Sequence, residues 1–171
     1  MSDPTAINVG NVGWFTDPQE IMIDAYTSHG RHHVHMPFIT PVADNLWHGG
    51  VTAGLVLPEF IKHVLSLYQW EAYTIGHKGV EVRTVEMYDS VDQDTSQIEE
   101  LAEWVNEARK TGPVLVHCQA GLNRSSLVIA KALLMSGEVA NGREAVDLLR
   151  EKRSPGVLCN PKFEEWVLSH E

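Results

Sequence analysis

Residues 114–134 read "VLVHCQAGLNRSSLVIAKALL", and the fold class follows from this stretch. Residues 114–116 form an apolar run of strand length. Residues 125–136 are apolar on almost every side, which marks a helix buried in the middle of a domain. Between them lies a seven-residue loop, 118–124, holding one of the chain's two cysteines, a glycine and an arginine. A strand that turns through a short loop into a buried helix is the repeating unit of an α/β domain. Ligands in such folds sit beyond the carboxyl ends of the strands, where the helices begin.

The loop has the composition of an anion site. Backbone N–H groups at a helix start point inward, and the helix dipole adds partial positive charge, so residues 118–124 can cradle a phosphate or sulfate. The cradle is formed by Gln119, Ala120, Gly121, Leu122 and Asn123, with Gly121 relieving the tight turn. Arg124 closes it with a two-pronged contact to phosphoryl oxygens, which a lysine cannot reproduce. The same field acts on Cys118: helix N-termini and nearby cations take a thiol from about 8.5 down to roughly 3.5–7.5. Cys118 is thus expected as a thiolate nucleophile, with Arg124 and the loop stabilising charge in the transition state. Ser125 is placed to donate a hydrogen bond to the departing sulfur, and His117 to hold the loop. A free cysteine is more commonly a small buried hydrophobe. His-Cys-x-x-Gly-x-x-Arg-Ser between an apolar strand and an apolar helix favours the chemical reading over that one.

The bulk numbers are compatible with a single domain. The chain has 171 residues, 43% hydrophobic and 21% charged, an ordinary globular composition. Its apolar runs are too short to span a membrane, and its start lacks a basic region followed by an apolar one. Two cysteines make no disulfide framework, so a reducing, cytoplasmic setting is expected. The net charge of −10 argues against general nucleic-acid or anionic-membrane binding. It leaves room for a local anion pocket.

Along the chain, residues 1–33 carry turn chemistry and one apolar stretch, and are read as an N-terminal extension of unclear role before a domain spanning 34–171. "HVHMPFIT" and "NLWHGG" read as short strands broken by Pro37, Pro41 and Gly49-Gly50. "AGLVLPEFI" reads as a helical turn leading into the strand "KHVLSLY", and residues 80–87 as another strand. Ser96 to Glu99 has the form of a capping box before a helix through Ile98, Leu101, Ala102 and Val105. Residues 141–153 form an amphipathic helix, and Asn160-Pro161 cap the last one, which carries Phe163, Trp166 and Val167. The expected fold is α/β, a central mixed and mostly parallel sheet flanked by helices.

"VHCQAGLNRS" resembles the signature of the cysteine-dependent protein tyrosine phosphatases, in their compact dual-specificity branch. The likeness extends from about "DNLWHGG" to "NPKFEEWVL". It implies a dual-specificity-phosphatase-like fold. It also implies metal-independent, cofactor-free hydrolysis of phosphotyrosine, and often phosphoserine or phosphothreonine, through a phosphocysteine. Hydrolysis needs a proton for the leaving oxygen, and a placed acid contributes about 10²–10⁴-fold. In the family this acid is an aspartate some thirty residues before the cysteine. Here Asp89, directly after the 80–87 strand, matches that position best, with Asp92 next. Asp94 lies near the Ser96 cap and suits a helix N-terminus.

The loop has no cation before Arg124, which favours phosphoprotein or phosphopeptide substrates over highly charged inositol lipids. Rival readings are an RNA 5′-triphosphatase, whose loops also place Asn before Arg, a non-catalytic phosphate-recognition module, and a rhodanese-type sulfur transferase. The acidic chain weighs against the first, the intact Cys118, Arg124 and Ser125 against the second, and the loop pattern against the third. His29, His32, His33 and His35 cluster without partner ligands at metal-like spacing, so no metal is expected. Cys159 is read as structural. Trp47, Trp70, Trp104 and Trp166 are read as packing residues, with Trp70 and Tyr73 as candidates for the substrate mouth.

Overall fold

The computed structural model describes residues 17–27, 29–70 and 73–171. Its centre is a five-stranded sheet in the order β3-β4-β7-β5-β6. Strands β4 (Leu46–Gly49), β7 (Val114–His117), β5 (His63–Ser66) and β6 (Glu81–Thr84) are parallel, and β3 (Ile39–Ala43) runs antiparallel to β4 at one edge. The sheet is mixed and mostly parallel, as its sequence pattern predicts. All four residues of β7 are buried, as a strand covered on both faces requires.

The two faces of β7 are covered differently. Val114 and Val116 join the main core, which the helices α1 (Ile98–Arg109), α2 (Arg124–Ser136), α3 (Gly142–Lys152) and α4 (Pro161–Leu168) complete. Leu115 faces a smaller cluster with Ile39, Leu57, Ile61 and Val64. The cover here is the irregular β4–β5 connection, in which the expected helical turn at "AGLVLPEFI" does not form. Residues 53–61 instead make successive turns, with one bridge from Val56 to Thr74. Trp47, Trp70, Trp104 and Trp166 are all half-buried and pack against these clusters.

Helix α2 is buried almost all round and ends at Gly137, whose φ of 77° is the left-handed conformation that glycine adopts without strain. Helix α3 begins as expected, with the Asn141 side chain accepting the Glu144 N–H, and α4 with Asn160 accepting the Lys162 N–H ahead of Pro161. The capping box at Ser96 does not form. Asp94 takes both the N–H and the hydroxyl of Ser96 at 2.9 Å, and α1 starts two residues later without a side-chain cap.

Two strand expectations shift for a shared reason, their place at the sheet edge. Pro41 does not break its strand but lies inside β3, where an edge position tolerates the missing N–H, and the register slips between Pro41 and Ala43. The strand expected over 80–87 shrinks to β6, whose Val82 is 45% exposed. Its alternation of valine with charge reflects an edge open to solvent.

Ahead of the sheet, β1 (Met22–Tyr26) and β2 (His33–Pro37) form an antiparallel hairpin. Alternation on both strands buries Ile23, Ala25, Val34 and Met36 in the main core. A boundary between 33 and 34 would pass through β2, so the hairpin strands β1 and β2 pack with the domain that follows. Among the described residues, no group of three or more His, Cys, Asp or Glu side chains is placed to hold a metal ion. None of their helices is long and apolar enough to cross a membrane.

Candidate active site

The loop after β7 opens at the carboxyl ends of the parallel strands, in the middle of the sheet. Cys118, Gln119, Ala120, Leu122, Asn123 and Arg124 line a concavity of about 230 Å³, and Asp89 lines it with them. Of the residues expected in the cradle only Gly121 is not among its lining; it packs behind the loop against Gly49 and Arg153. Gly121 has a φ of 72°, and a Cβ on it would meet Gly49 backbone atoms at 2.6 Å and Arg153 Nη2 at 2.7 Å. No other residue fits on either ground. A Cβ on Gly50 would likewise meet the Gln119 carbonyl oxygen at 2.4 Å. The Gly49-Gly50 pair thus lets β4 end against the loop, where the Gln119 carbonyl accepts the Val51 N–H at 2.7 Å.

Cys118 is 2% exposed, and its Sγ accepts the Gly121 N–H at 3.3 Å and lies 3.3 Å from Ser125 Oγ. Burial pushes the thiol pKa up. The Arg124 charge and the hydrogen bonds of Ser125 and Gly121 outweigh burial and hold it below the ordinary thiol range. The Ser125 proton has a defined direction. Ser126 Oγ donates to the Leu122 carbonyl at 2.7 Å, so it accepts from His48 Nε2, which lies 3.0 Å from both hydroxyls. Ser125 then accepts from the same Nε2–H and points its own hydrogen at Cys118. Burial, then the Arg153 charge, holds the His48 pKa well below the usual imidazole range, so this histidine is neutral.

His117 bonds to the start of the loop and to Tyr73. Its Nδ1–H donates to the Cys118 carbonyl at 3.1 Å, and its Nε2 accepts the Tyr73 hydroxyl at 2.9 Å. Burial first, against that backbone bond and together with Arg124, takes its pKa down to about 4 and keeps it neutral. Tyr73 therefore packs behind the loop and does not line the concavity. The Trp70 ring packs at a tilt, 5.5 Å between centroids, on Tyr88, the neighbour of Asp89, and so sits on the Asp89 side. Arg124 is 2% exposed, lies over the Tyr68 ring at 5.3 Å, and donates to the Met87 carbonyl at 3.2 Å. That last bond ties the cradle to the segment carrying Asp89.

The structure brings Asp89, and neither Asp92 nor Asp94, to Cys118. Asp92 is exposed and Asp94 is occupied with Ser96. Asp89 is 5% exposed; its Oδ2 accepts from Asn123 Nδ2 at 2.9 Å, and its Oδ1 from Asn160 Nδ2 at 3.0 Å and His29 Nε2 at 3.1 Å. Burial pushes its pKa up, and the bonds from His29, Asn160 and Asn123 more than reverse this. Cys159 touches the same network through Asn123, and burial pushes its thiol pKa up, which suits a structural residue.

Sequence reasoning missed the residue that anchors the loop. Arg153, at the end of α3, is 7% exposed and spends all five N–H donors inside the protein. Nε donates to Gly121 O at 2.8 Å, Nη1 to Pro37 O at 2.9 Å and Thr40 Oγ1 at 2.8 Å, and Nη2 to Phe38 O at 3.1 Å and Ala120 O at 2.7 Å. One guanidinium thus joins the cysteine loop to the chain between β2 and β3. In the sequence it is only a basic residue at a helix end. Arg153→Met should leave these carbonyls without a donor and cost about 3–5 kcal/mol. Denaturant unfolding checks this; an unchanged midpoint would show that the loop does not depend on it.

Comparison with known proteins agrees with the geometry. The family model described as dual specificity phosphatase, catalytic domain, matches residues 59–171. The chain is 37% identical over 84 residues to MAP kinase phosphatase with leucine-rich repeats protein 3 of Dictyostelium discoideum, covering 48% of this chain and 10% of that protein. It is 36% identical over 77 residues to dual specificity protein phosphatase 19 of Mus musculus, covering 44% and 34%. The chain therefore spans well under half the length of these two relatives. The crystal structure of human DUSP28 superposes with a TM-score of 0.62 at 18% identity, covering 78% of this chain and 94% of that one, a likeness of fold. With the catalytic-domain match covering its sheet centre, cysteine loop and all four helices, the chain belongs to the dual specificity phosphatase family.

Proposed function

We propose that the protein is a metal-independent protein phosphatase that hydrolyses phosphotyrosine, and also phosphoserine and phosphothreonine, through a phosphocysteine intermediate. The carrying observation is the Cys118 sulfur, buried yet held toward the thiolate by Arg124, Ser125 and Gly121 in the concavity that Asp89 also lines. In this reading Cys118 attacks phosphorus, and the loop with Arg124 takes the charge of the transferred group. Ser125 stabilises the sulfur as it leaves, and Asp89 serves the ester oxygen. Nucleophile and charge stabilisation both come from the protein's own side chains and loop amides, so the chemistry asks nothing of a metal. Substrates are phosphorylated proteins or peptides, since no cation precedes Arg124 in the loop. The acidic surface supports neither an RNA 5′-triphosphate nor an anionic membrane as partner. A thiolate nucleophile needs a reducing compartment, so we place the protein in the cytoplasm.

The test is release of phosphate, with EDTA present, from an aryl phosphate, from phosphotyrosyl and phosphoseryl peptides, and from 5′-triphosphate RNA. Hydrolysis of the first three and not the last is expected; RNA as the preferred substrate would replace the protein-phosphatase reading. Asp89→Asn should lower kcat about 10²-fold on phosphoseryl peptide, whose leaving alkoxide needs a proton, and much less on para-nitrophenyl phosphate. Equal losses on both would remove Asp89 from the proton transfer.

A further inference from the structure

A carboxylate that accepts three hydrogen bonds has no proton to give, yet Asp89 stands where the leaving oxygen needs one. Two of its partners, the side-chain amides of Asn123 and Asn160, do not change protonation. The third, His29, does so near neutral pH. It comes from the turn between β1 and β2, outside residues 59–171, and 60 residues from Asp89 in sequence. The turn is constructed to present it. Thr27 Oγ1 donates to the His29 carbonyl at 2.6 Å and accepts the His32 N–H at 3.0 Å, while Gly30 and Arg31 take φ values of 69° and 51°. His29 Nε2 then reaches Oδ1 of Asp89 at 3.1 Å and its backbone carbonyl at 3.3 Å. The two side chains are 19% and 7% exposed, so the contact is largely shielded from water.

We propose that His29 is a positioning and proton-holding residue for Asp89, the pair sharing one proton between the imidazole and the carboxyl group and serving together as the acid. This rests on the phosphatase reading. A lone carboxyl group titrates near 4 and would be empty at neutral pH. A coupled pair loses its shared proton in one macroscopic step that belongs to both partners. That step lies high here, because the Asp89 hydrogen bond raises the His29 pKa above the imidazole value against the pull of burial. The groups facing the pair are Cys118, Asn123 and Arg124 from the cysteine loop, Cys159 and Asn160 ahead of α4, and Thr27 from the hairpin. Burial pushes the Cys159 thiol pKa up, so it stays neutral beside the pair. An arriving phosphate dianion favours the protonated pair further.

The proton balance closes over the two steps. As the Cys118 sulfur–phosphorus bond forms and the ester P–O bond breaks, the proton held between His29 Nε2 and Asp89 Oδ1 passes through Oδ1 to the leaving oxygen. The pair is left as carboxylate beside neutral imidazole. Water then attacks phosphocysteine, its oxygen going to phosphorus and its proton to the pair, and Cys118 departs as thiolate. The acid is restored and no other reactant is consumed.

His29→Gln tests this, since glutamine can still donate to Oδ1 but cannot hold the proton. With phosphoseryl peptide, the alkaline limb of kcat/KM in the wild type should lie above 6.5, the ordinary imidazole value. In His29→Gln it should move down by about one pH unit or more, with about tenfold lost at neutral pH. Para-nitrophenyl phosphate, which leaves without help, should keep its profile. The imidazole titration of His29, followed by NMR in the whole protein, should fall toward 6.5 in Asp89→Asn. An alkaline limb that stays put or moves up in His29→Gln, or a His29 titration indifferent to Asp89, overturns the pairing. A wild type unable to hydrolyse any aryl phosphate overturns the phosphatase reading instead, and the NMR titration separates the two failures.

Discussion

Cys118→Ser should bind phosphate and phosphotyrosyl peptide as the wild type does while losing turnover by about 10⁴-fold or more, the scale on which an enzyme loses its nucleophile. The field that holds the thiol toward its anion comes from Arg124, Ser125 and Gly121, and none of these is altered. A serine hydroxyl is far too weak an acid for the same field to ionise. The cradle therefore survives and the attack does not. Calorimetric binding of the peptide beside steady-state kinetics checks both halves. Appreciable hydrolysis by the serine variant would end the covalent mechanism, because a water attacking directly has no use for Cys118. Loss of binding would show that the sulfur, rather than the loop, holds the phosphate.

Arg124→Lys is expected to lose about 10²–10³-fold in kcat although its charge is kept. A lysine ammonium cannot grip two phosphoryl oxygens in one plane. It also cannot maintain, from the same position, the bond to the Met87 carbonyl and the contact with the Tyr68 ring. Met87 stands two residues before Asp89, so the acid segment loosens together with the cradle. The pH profile separates charge from shape. Arg124 lowers the Cys118 pKa, so removing the charge raises it and moves the acidic limb of kcat/KM to higher pH. Arg124→Met should therefore show both the lower rate and the displaced limb, and Arg124→Lys the lower rate alone. A lysine variant with wild-type kinetics would mean that a point charge suffices and that the fork geometry has no part in the reaction.

The parts legible in the sequence are those whose atoms lie close along the chain. The apolar run before Cys118 and the apolar helix after it announce a central strand and a buried helix. Asn141 and Asn160 announce helix starts because capping is a contact over two or three residues. The misreadings are local patterns overruled from a distance. Ser96 has the form of a capping residue, but Asp94 reaches it first. The 80–87 alternation has the form of a half-buried strand, but its segment falls at the sheet edge, where the strand pairing with β5 covers only Glu81–Thr84. Asn160 was visible as a cap, while its amide on Asp89 was not.

The order of residues from His117 to Ser125 already put Cys118, the loop amides and Arg124 side by side at the start of α2. A strand turning into a helix over nine consecutive residues places those groups whatever the rest of the chain does. Their surroundings come from distant parts of the chain. His48 reaches Ser125 across 77 residues, Asn160 reaches Asp89 across 71, and Arg153 reaches Pro37 across 116. Such contacts are set by how strands order in the sheet and helices pack on it, and no residue type announces a partner that far away. His29 is the sharpest case: one histidine among four in a short stretch, given a role only because the hairpin folds its turn against the carboxylate beside Cys118.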